Sequence, residues 1–225
     1  MFLPLCWISF SITFVRSEKN RMYIRLYNEN PNPKQVREVC EVLNEGGVII
    51  YPTDTVYGIG CDIFKPRAVE RIAKLKGIKP EKANFSFIVP DLSNLADYTR
   101  PLDNRIFKLM KSHLPGPFTF ILPASSKVPK IMENRKKTVG IRIPDNNIIR
   151  DVARELGRPV LTTSIHDTDL IVEYTTDPEM IYENFKDHID LMVDGGYGGN
   201  VPSTIVDCTG DEPLIIRQGL GVLLV

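Results

Sequence analysis

Several kinds of site are missing from this 225-residue sequence. The four cysteines form no Cys-x-x-Cys pair and the three histidines are dispersed, so neither a disulfide framework nor a metal site is expected. Lys and Arg total 28 against 28 Asp and Glu, which gives no indication of a strongly basic nucleic-acid binder. No P-loop, His-Glu-x-x-His or Gly-x-Ser-x-Gly motif occurs. The scattered thiols indicate a reducing compartment, and we expect a cytoplasmic protein.

Residues 1–21 differ from the rest of the chain. Residues 1–15 are mostly apolar, but this run is short for a membrane span, and the basic residues follow it instead of preceding it. Met22 opens a sequence that leads directly into domain elements. We therefore predict one domain over residues 22–225 without a membrane partner, and we hypothesise that residues 1–21 are an extension foreign to the native protein. A genuine signal or anchor is the alternative.

A short strand followed by polar residues is the feature around which the sequence is organised. Residues 48–51 are β-branched or aromatic, which is typical of a buried strand, and Pro52 ends it. Clustered hydroxyls, one carboxylate and two glycines follow over residues 53–60. This pattern favours a ligand-binding loop at the end of a strand, with an ordinary Thr/Asp/Gly turn as the alternative.

Helices and strands alternate along the rest of the chain. Hydrophobic spacing and capping residues predict helices over 33–45, 67–76, 103–111 and 147–156, and a further helix that begins at Asp177-Pro178. Apolar runs predict strands at 23–27, 85–89, 118–122, 139–144, 160–164, 191–194, 203–207 and 214–217. No internal repeat or low-complexity linker interrupts them. The sequence therefore predicts a single α/β domain with a mixed sheet.

Polar side chains recur where these strands end. They are Thr53, Thr55, Arg142, Thr162, Thr163, Ser164, Ser203, Thr204 and Arg217. Hydroxyls that converge with a few guanidinium groups suit a ligand with phosphate and carboxylate groups. Seven basic residues against two acids over residues 65–82 favour a positive wall beside such a site, with a solvated helix face as the alternative.

Five motifs in order, at residues 51–58, 115–120, 139–144, 203–207 and 217–219, resemble the YrdC/YciO/Sua5 family of threonylcarbamoyl-AMP synthases. The resemblance implies an open, twisted mixed sheet with helices around a positively charged concave cleft. It implies a reaction that joins L-threonine, bicarbonate and ATP into threonylcarbamoyl-AMP and pyrophosphate, with ATP and Mg²⁺ as substrate and no tightly bound cofactor. The product serves the modification of adenosine 37 in tRNA, and the fold is also associated with double-stranded RNA binding.

The resemblance also implies roles for individual residues. Lys76 and Arg142 would be catalytic, with Lys76 on the ATP phosphates and Arg142 on the threonine carboxylate. The site for threonine and bicarbonate would contain Thr53, Asp54, Tyr57, Arg142, Thr162 and Ser203. The site for ATP or AMP would contain Lys76, Thr138, Ser164, Thr204 and Arg217.

Three positions depart from the synthase pattern. Ile78 stands where the synthases carry the arginine of a Lys-x-Arg pair. The run 85–89 stands where the synthases have a strand that contains a histidine, and Ser164-Ile165-His166 stands where they have Ser-Ala-Asn. These departures resemble the YciO branch of the family. We therefore expect a YciO-type protein with a nucleotide-binding cleft and weak L-threonylcarbamoyladenylate synthase activity. The alternatives are a non-catalytic protein of the same fold that binds double-stranded RNA or ribosomes, and adenylate chemistry on another substrate.

Overall fold

A computed structural model describes residues 22–83, 85–132, 137–165 and 176–224. The predicted N-terminal extension, most of the basic segment 135–137 and His166 therefore lie outside the described residues. Within those ranges, no helix is both long enough and apolar enough to span a bilayer.

Six α-helices form in the described ranges. They are α1 (Pro33–Asn44), α2 (Pro66–Leu75), α3 (Leu95–Tyr98), α4 (Asn104–His113), α5 (Asn147–Leu156) and α6 (Pro178–Phe185). The predicted caps are present, since the side chains of Asn32, Asp103 and Asp177 each accept a hydrogen bond from a backbone N–H in the first turn. Only α3 was not predicted, because four residues with one buried side chain carry no helical periodicity.

The strands form one sheet. They are β1 (Met22–Arg25), β2 (Ile49–Tyr51), β3 (Gly58–Asp62), β4 (Ser86–Ile88), β5 (Phe118–Pro123), β6 (Thr138–Arg142), β7 (Val160–Ser164), β8 (Leu191–Asp194), β9 (Thr204–Asp207) and β10 (Leu214–Arg217). The spatial order is β1-β8-β2-β3-β7-β4-β6-β5-β9-β10. Parallel and antiparallel pairs both occur, which confirms the predicted α/β class with an open mixed sheet.

One part of the predicted ligand loop is a strand instead. Strand β3 pairs antiparallel with β2 and with β7, and all five of its residues are buried. The two glycines made this segment look like a turn, whereas Ile59 and Cys61 between and after them pack into the core. The loop is therefore limited to residues 52–57, which connect β2 to β3.

Alternate side chains of the central strands pack on opposite faces of the sheet. On one face, Ile50, Ile59, Phe87, Phe120 and Ile141 join the larger core, which buries residues of α2, α4 and α6. On the other face, Ile49, Tyr51, Ile88 and Val160 pack with buried residues of α1 and α5. The candidate site lies on this second face.

Candidate functional site

A polar pocket lies beside the loop that follows β2 and extends over the neighbouring strands of the sheet from β7 to β10. It is lined by Val56, Ser86, Thr119, Arg142, Thr162, Thr163, Ser164, Pro202, Ser203, Ile205 and Arg217. Six of these residues carry hydroxyls and two carry guanidinium groups, and no carboxylate is among the described residues that line it. Such a lining favours an anionic ligand with several oxygen atoms.

The register of the sheet explains why distant residues meet here. Ser86 of β4 is paired with Thr162 of β7, and Thr119 of β5 is paired with Ile205 of β9. Directly paired residues in neighbouring strands project from the same face of a sheet. Four strands therefore deliver their side chains to one pocket.

The loop between β2 and β3 holds the guanidinium group of Arg142. Its Nη2 donates hydrogen bonds to Thr53 Oγ1 at 3.0 Å and to Asp54 Oδ1 at 2.8 Å, and it also donates to Thr55 Oγ1. The second carboxylate oxygen of Asp54 accepts a hydrogen bond from the backbone N–H of Asp145 at 3.0 Å. The Thr-Asp-Thr sequence is thus a cradle for one arginine.

One N–H of this guanidinium group lacks an acceptor. The Nε of Arg142 is buried and has no hydrogen-bond partner among the described residues. A buried donor without a partner carries a desolvation cost that a ligand acceptor removes. Because Arg142 lines the pocket, a carboxylate is the ligand group that best matches its guanidinium group there.

A second arginine, Arg217, also lines the pocket. Nη2 of Arg217, at the end of β10, donates to the backbone carbonyl of Ser203 at 2.7 Å, and Nε donates to the same oxygen at 3.2 Å. The hydroxyls of Ser203 and Thr119 are 2.9 Å apart and share a hydrogen bond. These contacts hold Ser203 between β6, which carries Arg142, and β10, which carries Arg217.

The structure thus brings together seven of the predicted residues. Arg142, Thr162, Ser164, Ser203 and Arg217 line the pocket, while Thr53 and Asp54 contact Arg142 from behind. The hydroxyl of Thr53 donates to the carbonyl of Val56 at 2.7 Å and accepts from Arg142, so its hydrogen bonds are made within the protein.

Two other predicted residues do not line this pocket. The Tyr57 hydroxyl donates to the carbonyl of Gly196 at 2.7 Å and accepts from the N–H of Gly195 at 3.0 Å. The Thr204 hydroxyl is fully buried and donates to the carbonyl of Gly221 at 2.6 Å. Both hydroxyls tie a glycine-containing segment to the sheet.

The remaining two predicted residues lie at other places. Thr138 lines a separate pocket together with Arg100 and Lys137. Lys76 is the C-cap residue of α2, half-buried, and is followed by Gly77 in a left-handed conformation with a φ of 66°. Their roles toward a nucleotide stay predictions.

The basic segment around α2 is largely solvated. Arg67, Lys74, Lys79 and Lys82 are exposed, whereas Arg71 forms an ion pair with Asp190 at 2.6 Å. Among the described residues, no cluster of three or more His, Cys, Asp or Glu side chains suits a metal ion.

Sequence reasoning missed five lining residues: Val56, Ser86, Thr119, Pro202 and Ile205. Thr119 and Ile205 lie inside predicted strands, where alternation alone does not tell which face carries the site. The signal that identifies them is the pairing of β5 with β9, which a single sequence does not contain.

Comparisons with known proteins agree with this architecture. The Sua5/YciO/YrdC family model, described as "Telomere recombination", matches residues 41–219. The chain is 37% identical to Escherichia coli YciO over 201 residues, which cover 88% of this chain and 96% of that protein. The crystal structure of E. coli YciO superposes with a TM-score of 0.81 over 89% of this chain and 96% of that one.

The names of two more distant relatives include an enzyme activity or a bound amino acid. The chain is 31% identical to the threonylcarbamoyl-AMP synthase of Bacillus subtilis over 203 residues, which cover 88% of this chain and 58% of that protein. The crystal structure of P. abyssi Sua5 complexed with L-threonine is 28% identical, with a TM-score of 0.79, and the match covers 88% of this chain and 57% of that one.

Proposed function

The chain belongs to the Sua5/YciO/YrdC family, and we propose that its pocket binds L-threonine and converts it with bicarbonate and ATP into threonylcarbamoyl-AMP. The observation that carries the proposal is the buried Arg142, which lines the pocket and whose guanidinium group is held in place by Thr53 and Asp54. The threonylcarbamoyl-AMP synthase of B. subtilis and the L-threonine complex of P. abyssi Sua5 support the choice of amino acid.

Arg142 receives the carboxylate of threonine. Its Nη2 is held by Thr53, Asp54 and Thr55, so the guanidinium plane is fixed before the ligand arrives. A fixed donor loses little conformational entropy on binding, and the hydrogen bond to a carboxylate is charge-assisted. Ser203, held by Thr119, lies on the threonine side of the same pocket.

The reaction requires positioning and charge neutralisation more than covalent help from the protein. The amino group of threonine displaces water from bicarbonate and becomes a carbamate. A carbamate oxygen then bonds to the α-phosphorus of ATP, while the bond from that phosphorus to pyrophosphate breaks and pyrophosphate leaves with Mg²⁺. Lys76 and Arg217 stabilise the phosphate charges, and Thr138 and Ser164 complete the nucleotide side.

The product would enter tRNA modification at adenosine 37, and we place this reaction in the cytoplasm. The free thiols of Cys40, Cys61 and Cys208 support a reducing compartment.

A second candidate function, binding of double-stranded RNA, rests on the exposed cations Arg67, Lys74, Lys79 and Lys82. Contacts with the phosphate backbone release counterions, so this binding would weaken steeply as salt rises. Absence of duplex binding at low salt would exclude this candidate.

The main proposal is tested by titrating the protein with L-threonine. Replacing Arg142 with Lys keeps the charge but removes the planar fork, and we expect affinity to fall about tenfold or more. Arg158→Lys is the matched control, because Arg158 is a partly buried arginine paired with Asp62 at 2.6 Å and does not line this pocket. Equal affinity in the Arg142→Lys variant and the wild type would contradict the proposal.

A further inference from the structure

The side chain of Tyr51 extends across a whole neighbouring strand to a residue that lines the pocket. It lies on β2, and its hydroxyl is 2.6 Å from the Oγ1 of Thr162 on β7, although β3 lies between these two strands. Only 1% of Tyr51 is exposed. The contact therefore joins a buried residue of β2 to a residue that lines the pocket on the same face of the sheet.

The two glycines of β3 make this crossing possible. A Cβ atom added at Gly58 would lie 3.0 Å from the ring of Tyr51 and 3.2 Å from Thr162 Oγ1. A Cβ atom added at Gly60 would lie 2.9 Å from the Tyr51 hydroxyl oxygen and 2.2 Å from a backbone carbonyl. The Gly-Ile-Gly sequence of β3 thus leaves a channel in which the phenol ring lies.

The hydrogen bond between the two hydroxyls has a defined direction. Thr162 Oγ1 is the acceptor found for the Tyr51 hydroxyl within the described part of the chain, and the geometry assigns Tyr51 as the donor. Burial raises the pKa of the Tyr51 phenol, which keeps its proton in place. If Thr162 were the donor instead, the Tyr51 proton would be buried without an acceptor, which is costly.

The proton of Thr162 is consequently directed away from Tyr51. A hydroxyl has one proton and two lone pairs, and one lone pair of Thr162 is occupied by Tyr51. Thr162 lines the pocket, so its proton is available to a ligand there. Neither residue touches the guanidinium group of Arg142 through a hydrogen bond found in the described ranges.

We infer that Tyr51 is a positioning residue that makes the Thr162 hydroxyl a hydrogen-bond donor to the pocket. The site then offers a hydrogen-bond donor to an oxygen acceptor of the ligand at this position. Arg142 and Thr162 together define two acceptor positions, which a carboxylate, carbamate or phosphate satisfies. The identity of that acceptor as part of threonine or its carbamate rests on the proposed function.

Neutron diffraction from deuterium-exchanged crystals of the full chain reads the direction without any ligand. We expect the deuteron of Tyr51 on the line to Thr162 Oγ1 and the deuteron of Thr162 pointing into the pocket. A Thr162 deuteron between the two oxygens would overturn the inference, whether or not the protein is a synthase.

Ligand binding provides the second test. We expect Tyr51→Phe to raise the dissociation constant for L-threonine about three- to tenfold, and we expect Thr162→Val to do so as well. The double variant should bind like Thr162→Val alone, because Tyr51 has nothing to orient once the Thr162 hydroxyl is gone. The control is Tyr98→Phe, which removes the hydroxyl of a partly buried tyrosine that does not line this pocket.

The outcomes separate the two proposals. Wild-type protein that does not bind L-threonine would contradict the proposed function, while the neutron result would still decide the direction of the hydrogen bond. Wild-type binding with an unchanged dissociation constant in Tyr51→Phe would overturn the positioning role alone. Additive losses in the double variant would also overturn it, because they would mean that Tyr51 acts independently of Thr162.

Discussion

Arg142 and Asp54 form an ion pair in which Nη2 and Oδ1 are 2.8 Å apart, with 8% and 9% of the two side chains exposed. The pair joins the end of β6 to the loop after β2, so it links the stability of the fold to the geometry of the pocket. Because both charges are buried, each depends on the other for compensation.

Removing the carboxylate should therefore destabilise the protein strongly. We expect Asp54→Ala to lower the free energy of unfolding in urea by about 3–5 kcal/mol, because Arg142 would keep a buried charge without its partner. The control is Asp97→Ala, which breaks the exposed pair with Lys127 and should cost about 1 kcal/mol or less. Similar losses in the two variants would show that the Arg142 pair is not buried in solution.

Two neighbouring hydroxyls should behave differently. Ser203 lines the pocket, whereas Thr204 donates to the Gly221 carbonyl and accepts from the Gly219 N–H at 2.9 Å. We expect Ser203→Ala to weaken L-threonine binding and to cost less stability than Thr204→Val. Thr204→Val should lower the free energy of unfolding by about 1–3 kcal/mol, because the Gly219 N–H loses its acceptor. Titration and urea unfolding of both variants check this contrast, and it fails if Thr204→Val is as stable as the wild type.

The buried thiols predict a decline in stability at alkaline pH. Burial raises the pKa of Cys40 to about 12 and that of Cys208 to about 11, while the pKa of an unfolded thiol is about 8.5. A folded pKa above the unfolded value means that this contribution is complete below about pH 8.5. It is lost as the pH rises through about 11 to 12.

Urea unfolding between pH 7 and pH 11 measures this effect, and Cys208→Ala should flatten the decline. A Cys6→Ser background limits a thiol-reagent assay at pH 8 to the three buried cysteines, which should react slowly until the protein unfolds. Fast reaction of the native protein would contradict the burial of these groups.

Replacing Ile78 with arginine should increase synthase activity. Ile78 follows the Lys76-Gly77 end of α2, and 43% of it is exposed, at the position where the sequence departs from the synthases' Lys-x-Arg pair. A guanidinium group there would add a charge-assisted hydrogen bond to phosphate, about 1.5–3 kcal/mol, so we expect Ile78→Arg to raise synthase activity about tenfold or more. Ile78→Lys controls for charge alone and should give a smaller increase. No gain in the Arg variant would mean that ATP phosphates do not reach this loop.

Much of the fold was predictable because local signals agree with it. The helix over Asn147–Leu156 and the strand Val160–Ser164 were predicted with the observed bounds, since capping residues and apolar spacing mark both. Strand β3 was predicted as part of a loop because of its two glycines. These glycines leave space for the Tyr51 side chain, and this role depends on the pairing of β2, β3 and β7, which the sequence does not reveal.

The candidate site was predictable in its hydroxyls and arginines but not in their arrangement. Polar residues at strand ends indicated Arg142, Thr162 and Ser203, and the structure brings these together. Thr204 is next to Ser203 in the sequence but does not line the pocket. Its side chain points to the opposite side of the strand and is hydrogen-bonded to the backbone. The alternation of side chains along a strand decides between neighbours, and it depends on register.

Release of pyrophosphate from ATP is the measurement that tests the account most directly. The full chain is assayed with and without L-threonine and bicarbonate, beside Lys76→Ala, Arg142→Lys and the control Arg158→Lys. We predict release that requires both substrates, disappears in Lys76→Ala, falls in Arg142→Lys and persists in Arg158→Lys. No release by the wild type, or release that is independent of L-threonine, would contradict the account.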